Sequence, residues 1–100
     1  RQPARGVVTT MNRLLIVDDA LIMRMKIREI ATKAGWTVVA EATNGAEGVR
    51  LFEEHRPDMV TLDMVMPELD GLSALKAIRG IEPSANVVMV SAVNQKDKLR

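Results

Sequence analysis

Apolar residues are distributed along the chain in two alternating textures. Leu14-Leu15-Ile16-Val17, Met59-Val60-Thr61-Leu62 and Val87-Val88-Met89-Val90 are short, almost continuous aliphatic runs, the pattern of strands buried on both faces of a parallel sheet. Thr37–Ala42 is a β-branched stretch that ends at Asn44-Gly45, and it reads as a further strand closed by a turn.

Between these runs the spacing becomes helical. Met23, Ile27, Ile30 and Ala34 recur at i, i+4, i+7 and i+11 with charged residues between them, and Gly35 supplies a left-handed stop. Ala46, Val49 and Phe52 make the apolar face of a second helix, which Gly48 weakens and Pro57 follows. Leu72, Leu75 and Ile78 face one side of a third, with Gly80 at its end and Glu82-Pro83-Ser84 turning the chain. Gln95–Arg100 has the pattern of the start of another helix.

Strands that alternate with helices in the order βαβαβαβ require parallel pairing, right-handed crossovers and helices on both sheet faces. The predicted fold is a doubly wound α/β domain with four strands and three complete helices. Residues 1–10 show neither period and read as a leader, tag or linker, which leaves 11–100 for the domain.

Composition narrows the function. The 100 residues, 47% of them apolar, suit one domain with one core. The absence of cysteine excludes disulfide and thiolate chemistry, and one histidine, His55, excludes histidine-rich metal clusters. His55 follows Glu53-Glu54 on a charged helix end and reads as a solvated residue. Met23, Met25, Met59, Met64, Met66 and Met89 suit core and loop packing rather than metal ligation. Taking Arg1 and Arg5 from the net charge of +1 leaves −1 for residues 11–100. That balance, with only Trp36 and Phe52 as aromatic residues, offers no footprint for nucleic acid. No apolar run approaches the ~20 residues of a membrane span.

The chemistry gathers where the strands end. Asp18 and Asp19 follow the first run, Asp63 the third and Ser91 the fourth. In open α/β sheets, ligands bind beyond the carboxyl ends of the strands, where strand order reverses. In the order 2-1-3-4-5 the first and third strands are neighbours, so acids 44 positions apart should meet. Two unit charges ~4 Å apart repel by ~4 kcal/mol at an effective dielectric near 20, so the cluster calls for a cation or a raised pKa. Oxygen ligands without sulfur or imidazole favour Mg²⁺. A carboxylate in such a site can attack a phosphoryl group, with the Ser91 hydroxyl donating to one of its oxygens. Taken singly, Asp18-Asp19 could be a helix cap, Asp63 a loop cap and Ser91 a turn residue.

Leu-Leu-Ile-Val-Asp-Asp at 14–19, Ala-Thr-Asn-Gly-Ala-Glu-Gly at 42–48, Pro-Asp-Met-Val-Thr-Leu-Asp-Met-Val-Met-Pro-Glu-Leu-Asp-Gly at 57–71 and Val-Val-Met-Val-Ser-Ala at 87–92 resemble, in order and separation, the signatures of response-regulator receiver domains of two-component signalling. That family is itself a standard instance of the flavodoxin-like strand order. Met-Arg-Met-Lys in the first helix and Ser91-Ala92 are similar to single-domain chemotaxis regulators. The resemblance implies a signalling switch rather than an enzyme. Asp63 would be the phosphoacceptor, and Asp19 and Asp63 would hold Mg²⁺ with the main-chain carbonyl of Val65. Asp18 would act through metal-bound water, with Ser91 as the switch hydroxyl. It further implies a cytoplasmic setting, a histidine kinase or small phosphodonor, and an output partner such as a flagellar switch component or an effector domain.

The family's essential lysine follows a fifth strand about twenty residues beyond the switch hydroxyl, and the sequence ends nine residues after Ser91. The expectation is therefore an incomplete receiver, lacking its fifth strand and last helix, with impaired switching. Val87–Val90 would then be an apolar edge open to homodimerisation or domain swapping. Two other readings are an interaction module without phosphotransfer, and a Mg²⁺-dependent phosphatase or phosphotransferase of another doubly wound family. The latter lacks its second acid, because Val65 stands two residues after Asp63.

Overall fold

The computed structural model describes residues 12–66 and 70–90. Four strands, β1 (Arg13–Val17), β2 (Thr37–Ala42), β3 (Met59–Asp63) and β4 (Val87–Val90), alternate with three helices, α1 (Leu21–Lys33), α2 (Gly45–His55) and α3 (Gly71–Ile81). All pairings are parallel, in the order β2-β1-β3-β4. β1 and β3 are thus neighbours, with Val17 opposite Leu62.

Alternation along the strands divides the interior in two. Leu15 and Val17 of β1, Val60 and Leu62 of β3, and Phe52, Ala74 and Ile78 of the helices form the larger core. On the other face, Leu14 and Ile16 meet Ala31 of α1, with Ile27, Trp36, Val38 and Met59 against them. α2 and α3 cover the first face, and among the described residues α1 alone covers the second.

Local chemistry sets the helix ends. Asn44 accepts a hydrogen bond from the Glu47 N–H (2.8 Å), while the Glu47 carboxylate accepts from the Thr43 N–H (3.0 Å), so Asn44-Gly45 opens α2 as a cap. Asp70 caps α3 through the Ser73 N–H at 2.9 Å. Gly35 takes the left-handed conformation expected of it after α1 (φ +94°).

Several sequence expectations need correction. On α1 the buried position is Ala31, whereas Ile30 is 69% exposed and Ala34 lies outside the helix as its cap. On α3 the buried positions are Gly71, Ala74 and Ile78, Leu72 is exposed, and the helix continues one residue past Gly80. Gly48 lies inside an unbroken α2 and has a packing role the sequence did not show: a β-carbon there would stand 2.9 Å from Val17 Cγ1, so its absence lets the helix lie close over β1. Met25 and Met64 are exposed rather than packed, and His55 is half-buried. The leader at 1–10 and the helix start at 95–100 lie outside the described residues.

Candidate metal and phosphoryl centre

The acids are brought together by the β1–β3 pairing. β1 delivers Asp18 and Asp19 at its carboxyl end, β3 ends on Asp63, and one carboxylate oxygen from each residue lies within 4.8 Å of the others. Asp18 and Asp63 are buried, at 2% and 4% exposure, whereas Asp19 faces solvent.

Neither acid at β1 caps α1. The cap position is Ala20, and Asp18 instead accepts the Ala20 N–H (2.9 Å) on Oδ1. Asp63 makes the analogous turn, accepting the Val65 N–H at 3.3 Å. Burial is the main reason that both carboxyls are held above the usual carboxylate range, and repulsion from the neighbouring acids adds to it. The Ala20 and Val65 N–H groups oppose that rise, and so does the Arg24 guanidinium near Asp18.

An all-oxygen set of three carboxylates, two of them buried against their own charge, suits a hard divalent cation. The donor chemistry fits Mg²⁺, which Asp18, Asp19 and Asp63 could hold. The peptide of Val65 borders the site through its bond to Asp63. Ser91 lies outside the described residues.

Two features of the site escape a reading of residues one by one. A β-carbon on Gly71 would fall 2.4 Å from the Asp63 carbonyl oxygen and 2.6 Å from Met64 Cα, and the Gly71 N–H donates to the Met64 carbonyl at 3.1 Å. The start of α3 is thereby pressed directly on the backbone that carries Asp63. Arg24, from α1, donates through Nη1 to the Asp18 carbonyl (2.8 Å) and through Nε to Glu41 of β2 (3.1 Å). The sequence signals were Gly after Asp70, and basic residues on the polar side of the first helix.

The sequence profile of the response regulator receiver domain matches residues 14–100. The chain is 53% identical over 85 residues to the chemotaxis protein CheY of Bacillus subtilis, covering 85% of this chain and 71% of that protein. It is 50% identical over 84 residues to CheY of Thermotoga maritima, covering 84% and 70% respectively. Among solved structures, the CheX–CheY–BeF3–Mg complex from Borrelia burgdorferi superposes with a TM-score of 0.78 at 33% identity, over 86% of this chain and 66% of that one. The response regulator domain of Thermotoga maritima CheB gives 0.74 at 38% identity, over 88% and 70%.

Proposed function

The chain belongs to the response-regulator receiver family, and from that membership we propose that it is a phosphorylatable signalling switch with Asp63 as the acceptor. The observation that carries this reading is the convergence of Asp18, Asp19 and Asp63 at the carboxyl ends of adjacent strands. An oxygen of Asp63 attacks the phosphorus of a donor and forms an acyl phosphate. The donor's P–N or P–O bond breaks, and its imidazole or carboxylate leaves with the electron pair. Asp18, Asp19 and Asp63 with the Val65 carbonyl would hold Mg²⁺, which would supply charge neutralisation at the phosphoryl oxygens. Asp18 and Asp19 place negative charge where that ion is needed, and the Val65 N–H fixes the Asp63 carboxylate. Ser91 is the hydroxyl that reads the modification.

The donor is a histidine kinase or a small acyl phosphate, and the chain's own chemistry is limited to taking that group and slowly hydrolysing it. The output partner is of the chemotaxis kind, a flagellar switch component or an effector domain, and the setting is cytoplasmic. Acetyl phosphate with Mg²⁺, followed by intact-mass spectrometry, tests the assignment. One phosphoryl group should add to the parent chain and none to Asp63→Asn. Equal labelling of both would remove Asp63 from the acceptor role.

A further inference from the structure

Asp19 is the one acid of the three that is exposed, and among the described residues its carboxylate takes part in no hydrogen bond or ion pair. With no side-chain partner, its place relative to Asp63 depends on where the backbone holds its Cα. The backbone of Asp18 is held at both ends: its N–H donates to the Ala42 carbonyl at 3.0 Å, and its carbonyl accepts from Arg24 Nη1 at 2.8 Å. The Arg24 side chain is 13% exposed and is fixed in turn by Glu41, which faces it from β2 and also accepts from Arg28 Nε at 2.7 Å.

Arg24 and Arg28 stand four residues apart on α1 and share Glu41, but only Arg24 reaches the acid loop. A bond from a guanidinium to a carbonyl is charge-assisted, and the planar fork lets one side chain hold two acceptors in fixed directions. We propose that Arg24 is a positioning residue for the acid centre, a clamp that joins α1, β2 and the Asp18–Asp19 peptide so that Asp19 points at Asp63. As a positioning role for the metal centre, the inference rests on the metal reading above, although the clamp itself is a property of the metal-free chain.

The test compares the parent with Arg24→Met, which keeps the aliphatic stem, and with Arg28→Ala, which removes Glu41's other partner. Three measurements are made on each full chain: thermal unfolding, hydrogen exchange at the Asp19 and Ala20 amides without metal, and calorimetric titration with Mg²⁺. Losing a group that orients metal ligands weakens metal binding by about 10-fold or more, so Arg24→Met should do so and should speed Ala20 exchange by a similar factor. Arg28→Ala should lower the melting temperature without either change. Parent-like exchange and Mg²⁺ affinity in a folded Arg24→Met chain would overturn the clamp, as would equal effects in the two variants. If Arg24→Met does not fold, Arg24→Gln carries the same comparison. A parent chain that takes no Mg²⁺ would sink the metal reading instead, and the exchange data alone would then decide the clamp.

Discussion

Replacing Asp63 by Asn should stabilise the metal-free chain while abolishing phosphorylation. Asn is nearly isosteric, and its Oδ1 can still accept the Val65 N–H, so the change removes mainly charge. Carboxylate oxygens lie within 4.8 Å of one another. At that separation two charges repel by ~3.5 kcal/mol at an effective dielectric of 20 and by ~0.9 kcal/mol in water. Asp18 is buried and Asp19 exposed, so the relief falls between those limits, at about 1–3 kcal/mol. For a domain of this size each kcal/mol moves Tm by ~4–8 °C, so a rise of at least ~4 °C is expected at pH 7 in low salt. Differential scanning calorimetry measures it. The pH dependence has a definite sign. Asp18 and Asp63 are raised above their ordinary value of 3.8, so between that value and the raised one the folded chain binds more protons than the unfolded chain. The penalty is then full above the folded pKa and fades as pH falls through it. The advantage of the variant should therefore shrink on acidification, and saturating Mg²⁺ should also close the gap by stabilising the parent. A metal-free variant that melts at or below the parent at pH 7, or a gap that widens on acidification, would refute the reasoning.

Gly71→Ala should be among the most disruptive single-methyl additions in the chain, because the new carbon meets backbone rather than a mobile side chain. Overpacking of this kind costs ~1–3 kcal/mol, readable by urea denaturation, and parent-like stability would contradict the close approach. Thr61→Val should change stability by less than ~1 kcal/mol or raise it, since the buried Thr61 hydroxyl has no partner among the described residues; a loss above ~2 kcal/mol in the same assay would reveal a bond the geometry lacks.

β1, β3 and β4 were legible as nearly continuous aliphatic runs and β2 as a β-branched stretch before Asn44-Gly45, and the acid cluster was legible because the first and third runs close on Asp. Helix phase was harder. α1 carries Leu21, Ile22, Met23, Met25, Ile27, Ile30 and Ala31 around most of its circumference, so the period alone admits several faces, and packing against Leu14 and Ile16 selected Ala31. The roles of Gly48 and Gly71 depend on how closely a helix approaches a particular strand or loop, which no local pattern records. The bonds from Arg24 to Glu41, 17 positions away, and to the Asp18 carbonyl are likewise products of the assembled sheet.

Among the described residues the two sides of the sheet are unequally upholstered. Two helices rest on one, while the other leaves a hollow of about 250 Å³ bordered by Leu14, Ile27, Ala31, Trp36, Met59 and Thr61. Elements with sparse apolar cover open first on warming, so α1 should loosen before α2 and α3, a ranking that amide exchange at rising temperature would reverse if it were mistaken. Because α1 begins two residues after Asp19, mild heat should unsettle the acids while the opposite half of the domain still stands.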